Sequence, residues 1–139
     1  MSFLSWFRRG KDRPFRPGER YRYLTRPCEL DSRIVILRVD PHERLGPIIH
    51  LAIENVEMTP PGAPKPLTRI GHIPISLAAL RASQPRLDAK RVELPDYQEG
   101  YDLWRTEFDA GRAGVFTLPV AEIVEAMAVT IAKGSKGAG

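Results

Sequence analysis

Asp96–Ala132, DYQEGYDLWRTEFDAGRAGVFTLPVAEIVEAMAVTIA, decides the fold. Tyr97, Tyr101, Trp104 and Phe108 recur at helical spacing and share one face. Asp96, Glu99, Asp102, Arg105 and Asp109 occupy the other sides. Gly111 and Gly114 end this helix, and a second apolar stripe follows in Val120, Ile123, Val124, Met127 and Ile131. The spacing predicts helices over 96–110 and 118–132. Asp96 is the expected N-cap of the first, with Glu99 three residues on. Pro119 sits in the first turn of the second, where its missing N–H costs nothing. Both helices need an apolar surface, and the strands upstream must supply it.

Those strands read as follows. Glu19–Arg26 predicts an edge strand over 20–26, with Tyr21, Tyr23 and Thr25 on one side and Arg20, Arg22, Leu24 and Arg26 on the other. Ile34 to Val39 is nearly continuous apolar sequence, which marks a central strand over 33–39 covered on both faces. Asp40-Pro41 opens a turn and Gly46-Pro47 closes it. Residues 48–57 return as the second arm of an antiparallel hairpin, across a loop of about seven residues. Met58–Pro66 has four prolines in nine residues and reads as a surface connector. Leu67–Ile75 reads as irregular or short strand, because Pro74 lacks a donor. Ser76 can cap a brief helix over 77–83, and a short strand falls near 90–94. Strands first and helices last predict an α+β fold: a mostly antiparallel sheet covered on one face by the two C-terminal helices.

At 139 residues the chain fits one domain. The expected layout is a basic and aromatic arm (1–18), a globular α+β domain (19–133) and a flexible tail (134–139). The formal charge of +4 is unevenly spread. Residues 1–26 carry eight basic and two acidic side chains, whereas the remainder carries 13 and 15, so the body is mildly acidic. A nucleic-acid argument from the whole-chain charge therefore fails. One cysteine, Cys28, cannot form an internal disulfide. No apolar run is long enough to span a bilayer, and no secretory signal is expected at the start. Together these predict a cytoplasmic protein, peripheral to a membrane at most.

No compact catalytic motif is present in the sequence. Cys28, His42, His50 and His72 are too far apart in sequence for a paired-ligand metal signature, so neither a metal nor a cofactor is expected. Cys28 lies beside Glu29 and Asp31, which disfavour its thiolate. There is no GxSxG elbow and no phosphate-binding glycine loop. His50 is expected to hydrogen-bond Glu54. If an active site exists, it must assemble from distant residues, with His50, His72, Tyr101 and Arg112 as candidates.

These readings favour a small non-catalytic module that binds another protein, in the manner of adaptors and toxin-neutralising immunity proteins of similar size. The candidate partner-binding residues are Trp6, Phe7, Arg8, Arg9, Arg20, Arg22 and Arg112. Nucleic acid is the alternative partner, gripped by the arginines and stacked on Tyr21 and Tyr23. An anionic membrane surface at the arm is a third.

Overall fold

The computed structural model describes residues 14–138. Among these, five strands form a single antiparallel sheet: β1 (Arg20–Arg22), β2 (Arg33–Asp40), β3 (Ile48–Met58), β4 (Leu67–Ser76) and β5 (Arg86–Ala89). Their order across the sheet is β4-β3-β2-β1-β5. Among the described residues three helices accompany them: α1 (Leu77–Ala82), α2 (Gln98–Asp109) and α3 (Val120–Ala138). The α+β class, the central hairpin and its seven-residue loop stand as expected.

The two C-terminal helices do not share the one face expected from sequence; α2 covers one face and α3 the other. Ile34, Ile36, Ile49, Leu51 and Ile53 pack with Leu80 of α1 and with Val120, Ile123 and Val124 of α3. Val35, Leu37, Ala52 and Ile48 point the opposite way, towards Tyr97 and towards Tyr101 and Trp104 of α2. Strands apolar on both sides need cover on both sides, and one helix goes to each.

Several boundaries also differ. β1 stops at Arg22, although Tyr23 remains buried and the Leu24 N–H donates to the Ser83 carbonyl. The last strand forms over 86–89 and not over 90–94, where Arg91 adopts a left-handed φ of 58°. Residues 67–76 make a full strand. Pro74 is tolerated because β4 is an edge and its carbonyl points outward to the Phe116 N–H, so its missing donor is on the outer side. The N-cap of α2 is Tyr97, which makes no side-chain capping bond. α3 continues past 132 to Ala138, into the stretch read as a tail.

Two register shifts matter most. One lies in β2 between Ile36 and Arg38, where Leu37 is the extra residue. It reverses the alternation, so that Arg38 and Asp40 face α2 and not α3. The other lies in β4, where Ile70 and Ile73 pair with Ile53 and Leu51. It falls just beyond His72, which lies on the His50 face because Pro74, two residues on, is opposite His50.

Candidate functional site

Two groups of side chains stand out, one on each half of the α2 side of the sheet. The first is a buried chain of titratable groups. His50 is fully buried and Asp40 nearly so. His50 Nε2 lies 3.1 Å from Asp40 Oδ2, and His50 Nδ1 lies 2.9 Å from His72 Nε2. The same Asp40 oxygen accepts from the Tyr101 hydroxyl at 2.7 Å, and Oδ1 accepts from Arg38 Nε at 2.7 Å. Arg105 approaches from α2 at 3.9 Å. The His50 ring is boxed by Tyr101 and Trp104, both edge-on at 4.9 Å between centroids, and stacks near-parallel on His72.

The electrostatics fix the tautomers. Burial pushes the Asp40 carboxyl up, but the bonds from Arg38 and Tyr101 outweigh it and hold it below the usual range. An ionised carboxylate only accepts, so His50 must donate through Nε2. Its Nδ1 is then an acceptor, and His72 must donate through Nε2. Burial, with the neighbouring His72 second, lowers the His50 pKa to about 4. Burial also lowers that of His72. Both imidazoles are thus neutral near pH 7. Burial and the adjacent carboxylate raise the Tyr101 hydroxyl.

This cluster contains three of the four residues expected in an assembled site. His50, His72 and Tyr101 meet; Arg112 does not join them, being bound through Nε and Nη2 to Glu107 at 2.8 and 3.0 Å. The expected His50–Glu54 bond is absent, because Glu54 pairs across to Arg33 and Arg69 along the strands while Asp40 takes His50. Among the described residues no buried side-chain nitrogen or oxygen lacks a partner, and no three His, Cys, Asp or Glu side chains gather as a metal site. The network is internally complete. It offers a proton position at His72 and no aimed donor for a substrate.

The second group is on β1, β2 and β5. Tyr21 belongs to the α3-side core, so Arg20 and Arg22 point to the other face. Arg33 joins them by its parity with Val35. Arg20 Nε lies 2.8 Å from Asp88, Arg22 Nε 3.5 Å and Arg33 Nε 3.6 Å. Arg20 and its two neighbours hold the Asp88 carboxyl below its ordinary range. Arg86 is the cross-strand partner of Arg22. Three guanidiniums therefore share one carboxylate, with Arg86 a fourth across from Arg22. Among the described residues Arg86 has no ion pair of its own.

A groove opens at this end, lined by Arg22, Tyr23, Leu24, Thr25, Leu30, Gln84 and Arg86. Leu24 is 59% exposed and Leu30 76%. Leu30 is not on a loose loop. Its neighbour Glu29 is buried, bonded to Arg26, and accepts the Glu57 N–H at 2.7 Å. Gln84 holds a left-handed φ of 54°, a conformation that glycine would adopt more cheaply.

Of the predicted partner-binding residues, Arg20 and Arg22 lie in this group. Trp6, Phe7, Arg8 and Arg9 lie outside the described residues. Arg33, Arg86 and Asp88 were missed; the parity of Arg33 with Val35 was legible, but the β5 position was not. Among the described residues no helix is long and apolar enough to cross a membrane. Comparison with family models, with curated proteins and with solved structures returns no match.

Proposed function

We propose that this chain is a small non-catalytic protein-binding module that takes an acidic segment of its partner in the groove between Arg22 and Arg86. The observation that carries the reading is that cross-strand pair. Like charges directly opposite each other destabilise a sheet by a few tenths of a kcal/mol or more. Asp88 is already shared with Arg20 and Arg33 and cannot balance both. An acidic ligand would supply the missing charge, and a bidentate carboxylate suits guanidinium geometry. Leu24 and Leu30 beside the pair suit an apolar residue within the same segment.

Protein fits better than nucleic acid because neither tyrosine, Tyr23 at the groove included, presents an open ring. Tyr21 and Tyr23 are buried, and their hydroxyls bond Glu19 and Ser32. Base stacking needs an open ring face among the arginines.

The test uses three probes on the full chain: an Asp/Glu-rich peptide containing leucine, single-stranded oligo-dT, and vesicles with anionic lipid. The reading expects the peptide to bind best, and Arg22→Glu with Arg86→Glu to weaken it at least about tenfold, or ~1.4 kcal/mol. Tighter binding of oligo-dT or vesicles, or peptide binding unchanged in the double variant, overturns it.

A further inference from the structure

We propose that the Asp40–His50–His72 chain is an acid-sensitive latch, which holds α2 on the sheet and lets it go when both imidazoles are protonated. Three features of the fold carry this.

First, α2 rests on a polar anchor. Its Tyr101 hydroxyl bonds Asp40, its Tyr101 and Trp104 rings enclose His50, and Gly100 packs directly over His72. Second, the other face keeps its own core with α3, and that core does not include α2. The helix can therefore leave while the sheet stays folded. Third, the hydrogen-bond chain has room for one added proton and not two. His72 can accept a proton on Nδ1 and still donate through Nε2. A further proton on His50 Nδ1 would set two N–H groups against each other at 2.9 Å, between stacked rings.

The surrounding charges favour release at that second step. From β2, Arg38 and Asp40 face the pair; from α2, Arg105 and Tyr101 do. Asp40 is already shared among Arg38, Arg105, Tyr101 and His50. Asp96, Tyr97 and Glu99 line the cleft at His72. Their acids do not reach the enclosed His50. Burial, which keeps both imidazoles neutral near pH 7, makes the second proton the costly one. At the far end of α2, His42 meets Phe108 edge-on and needs its own control.

The experiment is hydrogen–deuterium exchange on the full chain from pH 7 to pH 4, corrected for intrinsic exchange rates. Protection of α2 should fall at least about tenfold across this range while β2 and β3 keep theirs. His72→Gln retains a donor to His50 but cannot be protonated, so its α2 should stay protected to lower pH. His42→Asn, which keeps an acceptor for the turn, should follow the wild type. Loss of α2 and sheet protection together in the wild type overturns the latch, as does an unchanged α2 at pH 4. An unshifted profile in a folded His72→Gln protein also overturns it. The wild-type profile decides alone if that variant fails to fold.

Discussion

His50 Nδ1 and His72 Nε2 sit 2.9 Å apart with a single proton between them, although the two residues are on different strands and 22 positions apart. The pairing follows from the ladder: His50 is opposite Pro74, so His72, two residues away, comes to the same face, and the register slip in β2 brings Asp40 there too. Remove the β2 shift and the alternation carries Asp40 to the other face.

Stability should fall in mild acid. The folded His50 pKa is about 4, below its unfolded value near 6.5. The unfolded chain then binds more protons between those values. The contribution is fully present above pH 6.5, declines as pH falls, and is spent below about 4. Its upper bound is about 3 kcal/mol. Asp40, with a depressed folded pKa, adds a further loss only below the ordinary carboxylate range. Urea unfolding at pH 7.5, 5.5 and 4.5 measures this. A flat profile between 7.5 and 4.5 contradicts it.

Tyr101→Phe should cost about 1–2 kcal/mol. The ring that packs on Ile48 and His50 remains, but the buried Asp40 oxygen loses a donor. The loss should be smaller in an Asp40→Asn background, and a double-mutant cycle by urea unfolding gives the coupling directly.

Gly100→Ala should destabilise despite better helix propensity. An added Cβ would stand 3.3 Å from the His72 Cβ, an atom fixed to its strand and unable to swing aside. Alanine gains about 1 kcal/mol in a helix. Overpacking costs about 1–3 kcal/mol, which decides the sign. Gly114→Ala, with open space around it, is the control. The thermal midpoints of the two variants should separate, with Gly100→Ala below the wild type.

Arg86→Glu should stabilise the fold by about 0.5 kcal/mol while weakening the acidic peptide. It turns a repulsive cross-strand pair with Arg22 into an attractive one. A gain in stability bought with lost binding is the pattern of a site retained for function. Loss of stability in this variant would mean that the arginine pair serves the sheet.

The architecture was legible where periodicity was strong. Ile34 to Leu37, apolar on both faces, announced a doubly covered strand, and that same run should have divided the two helices between the faces. Pro74 hid β4, because a proline is neutral on an outward edge and sequence alone does not reveal which side is outward. The imidazole cluster was half legible: His50, His72 and Tyr101 were in view, but Asp40 read as a turn residue. Nothing local in Ile36-Leu37-Arg38 signals the bulge that turns Asp40 inward. The groove needed β5, whose four residues carry too short a pattern to place.

Charge reversal tests the binding site most directly. The protein with Arg22→Glu and Arg86→Glu is titrated, beside the wild type, with the leucine-containing acidic peptide and with a counterpart in which lysine replaces each acid. The wild type should take the acidic peptide and the variant the lysine peptide, with both affinities falling as salt rises. Retention of the acidic peptide by the variant, within about twofold of the wild type, would contradict the site assigned to it.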